Sequence, residues 1–400
     1  MKKQSILNLL LAITVIGCSS NKHDNTDLPF IDVRKNYPEK ELLFTNFADI
    51  SFIHLNADNA DYLYKIAAHT VTKNTIVIYD GASCSFLFFS KDGTPKSRFN
   101  RLGQGPEEYF GADINRILYN EETDEVFYTN QNMSKIQVYS STGQYKRSIP
   151  LPPEVTPYSI VSFDHESFLV FKNKSIATIS DGKNKFYIPK YTVYYQISKT
   201  NGEILDSLQL PNDETVNLKA VDQKGSSLQL FLINRLVKGR NGFCLCNPET
   251  DTVYLYANNK SLTPIFRKIP SARDLDPPIV VITNIVDASR YQFFALKTIY
   301  YEEQSMRNPK YPDRHYFRDK ETGEIFRQKI ILPEYKGKEF QIDVGRRIGF
   351  GEDNGSTFHL DLIELKQAYE ENRLSGKLKE LVATLNELKD NDVLMIAYFK

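Results

Sequence analysis

In the run Arg101-Leu102-Gly103-Gln104-Gly105-Pro106-Glu107-Glu108-Tyr109, two glycines flank Gln104 much as they do in a phosphate loop. A P-loop also needs a following Lys-Ser/Thr, and a dinucleotide fingerprint needs a helix opening at once after the glycines. Neither pattern is present. Turn chemistry accounts for the residues instead: the glycines permit a bend and Pro106 stiffens it. Arg101, Gln104, Glu107, Glu108 and Tyr109 are then the side chains offered to a ligand. Cys244-x-Cys246 has the form of a thiolate metal pair, yet no further Cys or His stands at a supporting spacing. Two cysteines two apart on a strand face the same way and pair poorly, so buried small residues are expected there. His23, His54, His69, His165, His315 and His359 are scattered, with no H-x-x-x-H or H-E-x-x-H among them. No G-x-S-x-G elbow is present either. No catalytic residue, metal or cofactor is therefore assigned. The 24 tyrosines offer flat faces with a polar tip, but most are expected to pack between sheets.

A further reactive position is Cys18. Lys2 and Lys3 precede a run from Ile6 to Gly17 that is apolar apart from Asn8 and Thr14. This is too short to cross a bilayer, which takes about 20 residues, and has the form of a secretory signal. Val15-Ile16-Gly17-Cys18 resembles the bacterial lipoprotein lipobox. The resemblance implies a signal peptide over 1–17, with Cys18 lipidated as the new amino terminus. Two or three acyl chains give stable anchoring, since each buried CH₂ contributes about 0.8 kcal/mol. Residues 18–40 then read as a flexible tether, opened by the polar stretch Ser19 to Asp27.

Lys+Arg and Asp+Glu number 50 each, so the zero net charge gives no general reason to bind nucleic acid. A hydrophobic fraction of 41% excludes wholesale disorder, and four cysteines cannot staple a disulfide scaffold of this length.

Strands must position the Arg101–Tyr109 run. After residue 50 the chain is a series of short Val-, Ile-, Tyr- and Phe-rich segments such as Thr75-Ile76-Val77-Ile78-Tyr79, broken by Gly, Asn and Asp. Turns ending in Gly93, Gly143, Gly202 and Gly323 recur, the first three 50 and then 59 residues apart. Asn247-Pro248-Glu249-Thr250-Asp251 is expected to fill the long last gap with a Gly-free turn. A period of 50 to 60 residues with about four strands is the mark of β-propeller blades. Five units are legible at roughly 60–100, 110–152, 158–212, 225–270 and 280–333. Residues 340–400, joined to residues near 43–56, supply a sixth, and that closure removes open sheet edges. The Arg101–Tyr109 run falls on the first blade-to-blade connector, which must cross about 14 Å from an outer strand to the next inner one. Leu378, Leu381, Val382, Leu385 and Leu388 share one helical face, so a helical insertion is expected over about 361–389, interrupted near Ser375-Gly376.

With its G-x-G-P-x-E-Tyr connector, Asp92-Gly93 hairpin and C-terminal helix before a final strand, the chain resembles exported six-bladed β-propeller lipoproteins of unknown function, which are TolB- and NHL-like. Glu107 stands where that family often has glycine. The resemblance implies an all-β, six-bladed propeller of four-stranded antiparallel blades over residues 41–400, with a short helical segment before the closing strand. It carries no catalytic residues. The expectation is a monomeric, lipid-anchored envelope protein, placed at the outer membrane, that binds a peptide, glycan or protein partner at the channel end where the connectors gather. The alternative is a hydrolase or lyase using acidic and Tyr residues in the channel. The insertion Glu302 to Arg314 is a second place for a partner to touch.

Overall fold

Runs of β-branched and aromatic residues form antiparallel strands, four to a sheet, joined by turns rich in Gly, Asn, Asp and Ser. The computed structural model describes residues 28–57, 60–109, 117–129, 134–153, 155–172, 179–180, 185–186, 191–211, 236–239, 241–247, 250–271, 279–299, 313–342 and 355–400. Blade one comprises Ile66–Val71, Thr75–Asp80, Ser85–Ser90 and Pro95–Phe99. Blade two comprises Leu118–Asn120, Glu125–Tyr128, Lys135–Tyr139 and Tyr145–Pro150. Blade three is Val155–Ser162, Ser167–Lys172, Tyr191–Ser198 and Ile204–Pro211. Leu236–Gly239, Gly242–Leu245, Thr252–Ala257 and Leu262–Ile269 make blade four, and Ile279–Asp287, Tyr291–Ile299, Arg314–Asp319 and Ile325–Ile331 make blade five. A sixth sheet of Gly355–Leu360, Val393–Phe399 and Ala48–His54 is built from both ends of the chain.

Each sheet buries one face against the sheet before it and the other against the sheet after it. Ile76, Ile78, Leu87 and Phe89 of blade one meet Ile53, Leu394 and Ile396 of the closing sheet. On the opposite face Val77, Tyr79, Phe86 and Phe88 meet Val126 and Tyr128 of blade two. Phe127, Ile136 and Val138 then meet Phe168 and Val170, and Leu169 and Tyr194 meet Phe243 and Leu245. One large core joins blade four, blade five, the closing sheet and the helices. The series of interfaces returns to its start, so the ring is closed. Burial on both faces explains why the middle strand Thr75–Asp80 is buried at every residue and lacks a two-residue alternation.

The recurrent glycines have a cause in the neighbouring blade. Gly93 has φ +88°, and a Cβ added there would lie 1.9 Å from the His54 carbonyl oxygen. Gly202, at φ +77°, would meet the Pro150 carbonyl oxygen at 1.9 Å. The third turns at Gly93, Gly143 and Gly202 are thus pressed against the end of the preceding sheet's outer strand, whereas nothing lies within 4 Å of a Cβ added at Gly323. The Gly-free turn at Asn247 is not equivalent: it joins the second and third strands of blade four, and the matching turn there is Asn258–Ser261, with Lys260 at φ 63°.

Two strands stand within the span 18–40 expected to be a tether. Phe30–Asp32 pairs in parallel with the outer strand of blade four, and Glu39–Leu43 with that of blade five. Ile31 and Leu42 are buried in the core, which is what fixes this segment. Residues 18–27, including Cys18, lie outside the described residues, as do residues 302–312 of the expected insertion. Among the described residues the closing sheet holds three strands. Helices α1 (Leu362–Glu370) and α2 (Gly376–Thr384) occupy the connection between its inner and middle strands. Asp361 caps α1, its side chain accepting from the Glu364 N–H at 2.9 Å. Leu362, Leu365, Leu378 and Val382 enter the core, but Leu388 is 85% exposed because α2 has already ended. No described helix is long and apolar enough to cross a membrane.

Candidate functional site

The connector from Arg101 to Tyr109 folds back on itself. Gly103 N–H donates to the Tyr109 carbonyl at 2.9 Å, Tyr109 N–H to Arg101 at 3.0 Å, and Glu108 N–H to Gly105 at 3.1 Å. The Glu108 carboxylate turns under the loop to accept from Gly105 N–H at 2.8 Å. It packs so close that a Cβ on Gly103 would lie 1.9 Å from Oε2, which is why glycine stands there. Blade two then takes up the outward carbonyls. Gln137 Nε2 donates to Glu108 O at 2.8 Å and Pro106 O at 3.3 Å, Tyr139 OH to Glu107 O at 2.9 Å, and Lys135 Nζ to Pro106 O at 3.2 Å. Arg101 Nε reaches the Gly143 carbonyl at 2.8 Å.

Tyr109 is the root of the loop. It is fully buried, stacked 4.5 Å from Tyr128 and edge-on to Phe86 and Tyr139, and its hydroxyl donates to the Cys84 carbonyl at 2.7 Å. Burial pushes its phenol well above the usual tyrosine range. The expectation that Tyr109 meets a ligand is therefore corrected: it is core. Glu108 is exposed, with its carboxylate accepting from Gly105 N–H. Arg101, Gln104 and Glu107 remain on the exposed side, beside Leu102, which is 48% exposed.

The loop's partners are the third strand of blade two and the turn at Gly143, two strand spacings or about 10 Å out from the inner strand. The surface thus lies on the shoulder between blades one and two. Sequence reasoning missed Leu102 and Lys135 as members of this shoulder. An apolar residue inside a glycine turn was the available signal for Leu102; nothing local marked Lys135.

Elsewhere the reactive residue types are engaged in packing. Tyr79, Tyr128, Tyr139 and Tyr194 are buried between sheets. Cys84, Cys244 and Cys246 are free thiols. Burial pushes Cys246 up to about 12 and Cys244 in the same direction, so both stay protonated at neutral pH. Among the described residues no three His, Cys, Asp or Glu side chains converge as a metal site.

A closed ring of radial sheets defines this chain as a β-propeller. It belongs to the 6-bladed beta-propeller family DUF5128, whose model matches residues 19–347. Among solved structures it is similar to a Bacteroides fragilis protein described as exported, at 14% identity and a TM-score of 0.57, covering 91% of this chain and 98% of that one. Two fainter likenesses are a DUF4221 family member from Bacteroides vulgatus and a virginiamycin B lyase from Staphylococcus aureus. The first has 10% identity, a TM-score of 0.43 and coverage of 88% and 96%; the second has 12%, 0.39, and 88% and 99%. Among curated proteins none matches.

Proposed function

We propose that this chain is a lipid-anchored binding module of the cell envelope, held by Cys18 at the outer membrane. It takes a peptide or protein partner on the shoulder formed by Arg101, Leu102, Gln104 and Glu107. One observation carries the reading. The loop's backbone is bound by its own residues and by blade two, whereas these four side chains lie at the surface. A loop braced in this way loses little conformational entropy when a partner docks. A cation, an anion, an amide and one apolar side chain within seven residues suit a mixed-charge peptide better than a bare glycan.

The test displays an envelope-peptide library and a glycan array to the mature chain and to a variant with Arg101, Gln104 and Glu107 all replaced by alanine. The expected result is peptide binding that falls at least tenfold in the variant while its thermal midpoint stays put. Unchanged binding in the variant, or capture of glycans alone, would overturn the reading. For the anchor, Cys18→Ser is expected to abolish acyl mass on the amino terminus and release the protein from membranes. Retention in the membrane fraction would refute it.

A further inference from the structure

An outer strand leaves one row of backbone N–H and C=O groups unpaired, and a β protein has to cover or guard that row. Among the described residues five of the six radial sheets do so. Blade five takes Glu39–Leu43 along residues 327–331, and blade four takes Phe30–Asp32 along residues 267–269, with Pro264 in the part left over. Blade one's outer strand Pro95–Phe99 carries a proline, Lys96 and Arg98, and blade two's Tyr145–Pro150 carries Lys146 and Arg147. The closing sheet lays α2 against Ala48–His54, whose Ile50 and Phe52 pack on the core. Asn391 holds the chain that leaves this strand: its Nδ2 donates to Leu55 O at 2.8 Å and Tyr62 O at 3.0 Å, and its Oδ1 accepts from Tyr64 N–H at 3.2 Å.

Blade three does neither. Its outer strand Ile204–Pro211 is eight residues long and, among the described residues, pairs on its inner side alone, with Tyr191–Ser198. Six of the eight residues are exposed, Ile204 at 44% and Leu205 at 54%. No Lys or Arg stands in the strand, and its one proline is the last residue. Ser207 N–H donates to the adjacent Asp206 Oδ1 at 2.8 Å, as an amide does where no further strand stands beside it. A long, exposed, apolar edge of this kind is a template for another strand.

The filled edges show what form an addition takes. Both added strands run parallel to the strand they join. On blade five the charges oppose, with Glu39 3.8 Å from Arg327 and Glu41 3.9 Å from Lys329. Blade three reverses the sign of the receiving strand: Glu203 stands just before it, and Asp206 within it is met by Lys260 from blade four at 2.9 Å. Two copies related by a twofold axis would bring identical strands together antiparallel, which neither filled edge does. We propose that blade three is a β-augmentation site, where an extended segment of a partner protein, alternating Lys or Arg with Val, Ile or Leu, adds a fifth strand parallel to Ile204–Pro211. Main-chain hydrogen bonds hold the segment, Ile204 and Leu205 meet its apolar side chains, and Glu203 and Asp206 select its charge. This site is separate from the shoulder at Arg101 and does not depend on it.

Two synthetic peptides of about eight residues, one alternating lysine with valine and one glutamate with valine, test this on the full chain by hydrogen exchange and fluorescence anisotropy. In the free chain the outward amides of Ile204–Pro211, Ser207 among them, are expected to exchange at least tenfold faster than those of residues 327–331. The lysine peptide is expected to bind and to slow them at least tenfold, leaving Pro95–Phe99 and Tyr145–Pro150 unchanged. Glu203→Lys combined with Leu205→Lys, both at exposed positions, should weaken that binding at least tenfold without moving the thermal midpoint. Outward amides already protected in the free chain would overturn the proposal, since the edge would then be covered. A lysine peptide that does not bind, a glutamate peptide that binds as well, equal protection of all three outer strands, or unchanged binding in the double variant would do the same. So would a chain that dimerises unaided with this strand protected, which gives the edge to a second copy.

Discussion

The joint between blades one and two and the closure between the two chain ends solve the same packing problem with different chemistry. At the first, the polypeptide itself continues across, and the connector is rooted by Tyr109 in a stack of aromatic rings with its hydroxyl on the Cys84 carbonyl. At the second, strands from opposite ends meet with no covalent continuity between the partners, and polar side chains carry the matching: Asn391, His69, Thr357 and Lys91. The contrast teaches where specificity is needed. Apolar faces alone would let strands slide by two residues, whereas a buried amide with three fixed partners accepts one register.

Five substitutions sharpen or break this contrast, from the largest effect to the smallest. Tyr109→Ala should cost about 3–5 kcal/mol in denaturant unfolding, the usual range for deleting a buried aromatic ring. Were it mild, the connector would not be rooted as described. Asn391→Ala should cost about 2–3 kcal/mol by leaving three backbone groups unpaired, and hydrogen exchange should show the loss concentrated in Val393–Phe399. An equal loss in blade two would dissolve the distinction between the joints. Gly93→Ala should cost about 1–3 kcal/mol, because positive φ and the His54 carbonyl both oppose a Cβ. Gly323→Ala, where nothing lies within 4 Å of the added carbon, should cost about 1 kcal/mol or less, and equal midpoints for the pair would disprove crowding as the cause. Leu388→Ser, outside both joints, should shift stability by less than about 0.5 kcal/mol by the same assay.

The blades were readable in the sequence because neighbouring sheets press on the third turn and demand glycine at a regular interval, as at Gly93 and Gly202. Phe30–Asp32 was not readable. Three residues pairing in parallel leave neither a turn signal nor an alternation to detect. The sequence marked the Arg101–Tyr109 run as a connector, yet could not tell which of its polar side chains look inward. Tyr109 carries a hydroxyl that serves a ligand or a fold equally well, and only the position of Cys84 decides between them. Leu388 kept helical phase with Leu378 after the helix itself had stopped.

The amino-terminal segment laces blade four to blade five before it enters the closing sheet. Nine residues lie between Cys18 and Leu28, so the two are at most about 35 Å apart along the chain. A pull on that stretch would draw Phe30–Asp32 lengthwise along its neighbour, so its rungs must give way together, and Glu39–Leu43 would follow only afterwards. With Cys18 anchored as proposed, tension would load these two rim strands, whose Ile31 and Leu42 are buried in the core, before any of it reached the strands that keep the ring shut.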